Sequence, residues 1–507
     1  MDNKEHYFRY KWFALIGLSL MSSTAFLDFT IVSTAIPFIQ QTFKANMLQL
    51  QWVNSIFAMM CSMFMVGMGK LGDLYDRRLV FYSGFLIFAL AAVGAALSPS
   101  IQWLIACRGL QGLAVSIIVT QSPVLLPQAF PEEEQHVAIS IYSAITGLGL
   151  AIGPVLGGFI INSFSWRYVF WFNIPLIIIG FACCIFTLRS KPVQANNEPF
   201  DWWGMILLII AVGSIIYGVV LGGQIGWGSV LTIVYIVAGI FAFIGLLIRE
   251  SHTKYPLLDS ITFTSPYAIL AITICSCAGI ITNIFLFLDP IFFKVVQHLS
   301  AKNIGFLLVA MPAAQICVAV LFPKIIKATS ISFIIVIGII FSVVAVIMNS
   351  FFLPTMSIWL STMTFVFMGI TWGLSNTCTI HIINSHFSAN KAGSIIGTIF
   401  TFWNLCGAVF LAAATVIFNQ FQKSHLNNFI QQNPNYLSEQ EHSHLLQALQ
   451  DPDHASSYLH STDGAFNHLY DIFQSGFVDA LSNTSWVVFI ILFVILLIAL
   501  QQLRKLR

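Results

Sequence analysis

Fourteen apolar runs, most of them near or above 20 residues, are the feature that most narrows what this chain can fold into. They lie at 13–38, 50–69, 79–97, 101–127, 137–161, 168–188, 203–222, 229–248, 266–288, 303–323, 330–349, 355–383, 393–418 and 484–502. A helix crosses the hydrocarbon core of a bilayer with about 20 mostly apolar residues. Lipid offers the backbone no hydrogen bonds, so a run of this kind has to satisfy its own by coiling into a helix. Only 8% of the 507 residues are charged, against about a quarter in a soluble domain. The surface that would carry those charges must face lipid, and the expected class is an all-α integral membrane protein.

An even number of spans puts both termini on one side. Sixteen of the 22 Lys and Arg residues then fall on that side, five fall opposite, and Arg108 stays within a span. Positive charge is retained on the cytoplasmic side, so the expectation is a multi-pass protein of the cell (inner) membrane with both termini cytoplasmic. Lys4, Arg9 and Lys11 precede the first run without a small-residue cleavage site, which suits an uncleaved first helix. A net charge of +2 gives no field that would attract nucleic acid. All nine cysteines sit inside apolar runs without CxxC spacing, so neither a disulfide framework nor a metal site is expected. The one long polar stretch, 419–482, holds six of the twelve histidines and falls outside in this topology. It reads as a solvated external loop; Leu437–Leu449 and Ala465–Leu481 within it have helical apolar spacing.

Five blocks carry chemistry beyond hydropathy. The first span holds Leu27-Asp28-Phe29-Thr30-Ile31-Val32-Ser33-Thr34-Ala35-Ile36-Pro37, and the loop after the second holds Gly69-Lys70-Leu71-Gly72-Asp73-Leu74-Tyr75-Asp76-Arg77-Arg78. Arg108-Gly109-Leu110-Gln111-Gly112-Leu113-Ala114 lies in the fourth span, and Gly149-Leu150-Ala151-Ile152-Gly153-Pro154-Val155-Leu156-Gly157-Gly158 in the fifth. Trp166-Arg167-Tyr168-Val169-Phe170-Trp171-Phe172-Asn173-Ile174-Pro175 opens the sixth. In the loop, glycines permit a tight turn where helices nearly touch, and Asp73 can hold a neighbouring helix end or arginine in one of two states. Gly149, Gly153 and Gly157 recur every four residues, so they line one helix face and admit a close neighbour, with Pro154 bending the helix there.

In this order the blocks resemble the signatures of the fourteen-span drug:proton antiporter branch of the major facilitator superfamily. Ser33, Asp76 and Ala114 stand where that family usually has Asn, Gly and Gly, and Pro256-Leu257-Leu258-Asp259 is similar to another marker of the branch. The resemblance implies two six-helix bundles around a central cavity, with two extra spans between them: 1–190 as the N-terminal bundle, 191–260 as the linker pair and 261–507 as the C-terminal bundle. It implies a transporter rather than an enzyme, exporting amphipathic small molecules against protons by alternating access, without a cofactor. A dedicated exporter of one metabolite, such as a siderophore, would carry the same motifs. An adaptor protein on the outer side, docking on 419–482, is a further partner that some relatives have.

Asp28 and Arg108 are the only charged residues deep inside the runs. A charge at a helix centre costs about 3 kcal/mol or more and marks function by default. At 1.5 Å per residue, Asp28 lies ~22 Å from the cytoplasmic side and Arg108 ~10 Å from the outer one, nearly one level in a ~30 Å core. In the family that the chain resembles, spans 1 and 4 both border the central cavity, so the resemblance implies that the two meet, and they are the expected proton-coupling pair. Gln111, Tyr142, Asn283, Asn376, Trp403 and Asn404 are candidates for the cavity wall, as are Trp52, Phe57 and Trp372. Asp289 reads as a helix-end residue in water, and His381 as a weak proton relay.

Overall fold

The computed structural model describes residues 10–45, 47–188, 199–299, 301–432 and 467–505. Its helices are α1 (Lys11–Phe43), α2 (Met47–Leu74), α3 (Arg77–Ala96), α4 (Ile101–Gln128), α5 (Gln135–Ser163), α6 (Tyr168–Trp171), α7 (Asn173–Ile185), α8 (Trp202–Ile225), α9 (Val230–His252), α10 (Ile261–Thr264), α11 (Pro266–Val295), α12 (Ala301–Ala328), α13 (Ile331–Ser350), α14 (Ile358–His386), α15 (Ala389–Gln432) and α16 (Asn467–Lys505). Fourteen segments are long and apolar enough to cross a membrane, as the hydropathy runs predict. The sixth is assembled from α6 and α7. Pro175 has no N–H to give the carbonyl four residues back, so the ladder is interrupted just where Asn173 begins α7.

The helices form the two six-helix bundles and extra pair of the major facilitator fold. In the first bundle α1 packs on α5, and α2 on α4; in the second α12 packs on α14, and α11 on α15. The bundles meet along two seams, α2 against α15 and α5 against α12. The added pair α8–α9 lies on the first seam through α8. Its start is fixed by Asp201, which accepts from Gly204 N (3.0 Å) and takes Arg249 Nη2 of α9 at 2.7 Å. Burial opposes ionisation of Asp201, but the Arg249 guanidinium and the backbone N–H hold its carboxyl below the usual carboxylate range.

Burial sorts the helices into central and lipid-facing ones. From Arg108 to Pro127 nearly every residue of α4 is buried, polar ones included, and α11 is covered almost as completely. By contrast α9 buries only Thr232, Gly239, Ala242 and Leu246 and exposes Val230, Phe241 and Ile248. An apolar face of that extent is stable only against lipid.

The glycine stripe of α5 faces α1. A Cβ on Gly149 would meet the Ser23 carbonyl, one on Gly153 the Thr30 hydroxyl and one on Gly157 the Thr34 hydroxyl. Gly158 has open space at that position. Gly153→Leu is therefore expected to force α1 and α5 apart and to lower stability by about 1–3 kcal/mol. Gly158→Ala should leave the melting temperature of the purified protein unchanged, and equal effects at the two sites would contradict this packing.

The stretch 419–482 departs from expectation. Helix α15 continues to Gln432, and α16 begins at Asn467, before the last apolar run. Leu426, Ile472, Phe473, Phe477, Val478 and Leu481 are buried at helical spacing, with Gln422 the buried polar residue among them, so these extensions are amphipathic. His425 Nδ1 meets Asp479 Oδ2 across them at 2.7 Å. Leu437–Leu449, with His442, His444, His454 and His460, lies outside the described residues.

Candidate functional site

Polar chemistry in the first bundle converges on Asp28, at the middle of α1. The carboxylate and the Arg108 guanidinium are both 0% exposed and form an ion pair through Oδ2 and Nη1. Three further groups complete the network. Asn173 Nδ2 donates to Asp28 Oδ1 at 2.6 Å, and Gln111 Nε2 donates to the same oxygen at 3.3 Å. Arg108 Nη1 reaches Gln111 Oε1 at 2.9 Å, and Nε reaches the Val53 carbonyl at 3.2 Å. The pair expected from matching depth and from the family resemblance thus meets side chain to side chain. Gln111 stands here rather than at the cavity because it lies one helical turn from Arg108 on the same face of α4. Asn173 was given no role by the sequence reading, although an amide inside an apolar run was the signal that could have found it.

Next to this network lies a cavity of about 70 Å³ between the bundles. Its wall is apolar and aromatic: Phe26 and Phe29 of α1, Phe57 of α2, Trp372 of α14, and Phe400 and Trp403 of α15, with Asn376 and Asn404 as the amides. The Trp372 and Trp403 rings meet edge to face at 5.3 Å. Tyr142 and Asn283 do not line it. Tyr142 is buried and donates its hydroxyl to Ser22 Oγ at 2.8 Å, and Asn283 donates to the Gly279 carbonyl of its own helix at 2.9 Å. Trp52 stacks on Tyr217 of α8 at 5.1 Å, and His381 stands edge-on to Phe322 at 5.8 Å.

Phe57 joins the two features. Its ring lines the cavity, and the Arg108 guanidinium lies over it at 4.3 Å. Anything that displaces the ring disturbs the counter-ion of Asp28.

The glycine-containing end of α2 forms a third cluster, on the face that carries most of the basic residues; the block expected as a loop is helical up to Leu74, so its glycines serve close approach rather than a turn. Asp73 accepts from Gly393 N at 2.9 Å and Ser394 N at 2.7 Å, near the start of α15, and is ion-paired with Arg77. Arg77 Nη1 donates to Gln121 Oε1 at 2.9 Å, whose Nε2 donates to the Met68 carbonyl at 2.7 Å. Gly69 and Gly393 cross so closely that a Cβ on either would collide with the carbonyl of the other. A Cβ on Gly72 would strike the Gln121 amide. Asp76, in place of the family's glycine, has φ −62° and caps α3 by accepting from Arg78 N at 3.0 Å. No positive φ is needed there, so the substitution carries no strain. Arg78 Nη1 reaches the Leu188 carbonyl at 3.3 Å. Asp259, in the segment before α10, adds a second tie to α15 through Lys391 Nζ at 2.8 Å.

Asp289 corrects the sequence expectation. It is fully buried rather than at a wet helix end, and both its oxygens accept from Asn349 Nδ2 of α13 at 2.9 Å.

Comparison with known proteins places this arrangement. The family model described as Major Facilitator Superfamily matches residues 18–208 and 202–411. The chain is 34% identical over 306 residues to the multidrug resistance protein Stp of Mycobacterium tuberculosis (strain CDC 1551 / Oshkosh), covering 59% of this chain and 56% of that one. It is 30% identical over 254 residues to the tetracenomycin C resistance and export protein of Streptomyces glaucescens, covering 50% and 47%. These matches thus span about half the length of the curated relatives. The solved structure of the human organic anion transporter MFSD10 (TETRAN) superposes with a TM-score of 0.61 at 12% identity, over 96% of this chain and 99% of that one. That likeness is one of fold.

Proposed function

We propose, from the premise that this chain belongs to the Major Facilitator Superfamily, that it exports amphipathic small molecules across the cytoplasmic membrane in exchange for protons. The observation that carries this reading is the Phe57 ring, shared between an aromatic cavity and a buried carboxylate–guanidinium pair. A carboxylate in an apolar site favours its neutral form when its cationic partner is withdrawn and its charged form when the partner returns. Substrate and proton then compete through one movable arginine. Asp28 receives a proton from outside, Arg108 loses its counter-ion while it keeps Gln111 and the Phe57 face, and the broken pair biases the bundles towards the inward-open state. Binding of cargo in the cavity reverses the sequence, and the proton leaves to the cytoplasm.

The closed contacts on the basic face, built on Asp73, Gly393 and Ser394, correspond in this cycle to the state sealed from the cytoplasm. Orientation follows from the charge bias, since cytoplasmic loops retain Lys and Arg.

Aromatic walls with two amides suit cargo that is flat, apolar and weakly polar at one end. The multidrug resistance relative favours broad specificity. The tetracenomycin C relative favours export of one compound, the second reading. A substrate panel in everted vesicles separates them: uptake of several unrelated amphipathic compounds supports broad efflux, and uptake of one supports dedicated export. Trp403→Ala is expected to change which compounds are carried by about tenfold or more, the scale of ~1.4 kcal/mol in binding, while leaving the proton response intact. An unchanged profile would remove Trp403 from the binding wall.

A further inference from the structure

We infer that Asp289 and Asn349 form a second proton-binding site, in the C-terminal bundle and separate from Asp28. The geometry is that of a carboxyl group locked in apolar protein without a cation. Asp289, Asn349 and Ser485 are all 0% exposed. Among the described residues, no Lys, Arg or His lies within ion-pair distance of Asp289. Its one polar partner among the described residues is a neutral amide, held in turn by Ser485 Oγ, which reaches Asn349 Oδ1 at 2.9 Å. An isolated ionised carboxylate is expensive in such surroundings, and groups so placed commonly take up a proton instead.

The hydrogen-bond order of this triad can serve both protonation states. With Asp289 ionised, Asn349 donates N–H to both carboxylate oxygens and accepts from Ser485. With Asp289 protonated, a half-turn of the Asn349 amide presents Oδ1 to the new O–H and turns Nδ2 towards Ser485. Ser485 then accepts from that amide and donates to the Leu481 carbonyl, already at 2.8 Å. Asn349 and Ser485 keep a partner in each order, and the carboxyl keeps one through its O–H when protonated.

Access is gated. The next turn of α11 brings Phe292 and Phe293, both buried against Phe352, with Phe477 on Phe292 at 6.4 Å. Asp289 lies six residues before the end of α11, about 9 Å along the axis, on the side away from the basic face. Among the described residues, the other titratable groups on this side of the elements around it are Lys294 and His298 beyond the same helix turn, Lys423 on α15, Asp471 on α16, and the His425–Asp479 pair between α15 and α16, outward of Ser485. Helix α13 carries none. A proton would therefore enter from the outer side when the aromatic cover parts, as α13 and α16 shift against α11.

Proton binding here does not depend on the export reading; its use in transport does. Infrared difference spectra between acid and alkaline pH, on the full chain in lipid, read the carboxyl directly. The expected result is a protonated-carboxyl C=O band that titrates, is lost in Asp289→Asn and survives in Asp28→Asn. A band unchanged by Asp289→Asn, or no titrating carboxyl band in the native sequence, overturns the site. Labelling of the unsubstituted protein with an apolar carbodiimide, mapped by mass spectrometry, covers the case in which Asp289→Asn does not fold. An adduct on Asp289 that declines as pH rises is expected, and an adduct that is absent or independent of pH overturns the inference. Loss of gradient-driven export in Asp28→Asn with the Asp289 band retained would separate the two carboxylates.

Discussion

Asp28→Asn is expected to give a protein that still inserts and folds but whose export no longer responds to a pH gradient. The amide keeps the size of the carboxylate and can accept from Arg108, but its N–H groups then face the Asn173 and Gln111 donors, so those two amides must turn to keep their bonds. What it lacks is an exchangeable proton. Removing one partner of a buried pair also leaves the other charge uncompensated, at about 3–5 kcal/mol; the remaining hydrogen bonds place this variant at the lower end. Substrate exchange across equal pH on both sides should persist, because the cavity wall is untouched, while accumulation driven by the gradient falls to background. Arg108→Ala should fare worse in stability, since Asp28 would be left with two amides only and the Phe57 ring would lose its cation. Full gradient-driven export by Asp28→Asn would exclude Asp28 as the proton carrier.

The second large effect is expected at Asp73. Its two oxygens receive backbone N–H groups of the other bundle, Gly393 and Ser394, with Arg77 alongside. Hydrogen bonds to a charged group contribute about 1.5–3 kcal/mol each, and the positive end of a helix favours an anion. An asparagine in that place turns an N–H towards one of these donors, so at least one bond is lost and another weakened. The balance between states should move by tenfold or more away from closure on the basic face. Spin labels on either side of the α2–α15 seam, measured by pulsed electron resonance, should report a wider distribution on that face for Asp73→Asn. Distances equal to those of the native sequence would mean that Asp73 positions the turn without latching the bundles.

How much of this was legible in the sequence depends on which link each residue belongs to. Spans follow from hydropathy over about 20 residues, so their number and order were available. The Asp28–Arg108 pair was available too, because depth along two helices follows from rise per residue, both charges are costly, and the family resemblance places their two spans on the same cavity. Rotation of a helix about its axis is not fixed by a span. Tyr142 and Asn283 therefore turn to partners within their own bundles instead of to the cavity, whereas Asn376, Trp403 and Asn404 reach it. Asp289 was misjudged because hydropathy places it near a helix end, while its burial comes from Asn349 and Ser485, sixty residues and more away. The extension of α15 was hidden for a related reason, whereas the apolar spacing of Ala465–Leu481 anticipated the start of α16. Averaging over a window mixes the buried stripe of Leu426 or Phe477 with the polar residues between, and only the period of the pattern shows the helix.

The central claim is that cargo and protons move in opposite directions through one cycle. Proteoliposomes loaded with a transported compound and a pH-sensitive dye, then diluted into compound-free medium, test it most directly. The account predicts that efflux of the compound draws protons inward, acidifying the lumen, and that this response disappears in Asp28→Asn. Efflux by the native sequence with no proton movement would contradict it.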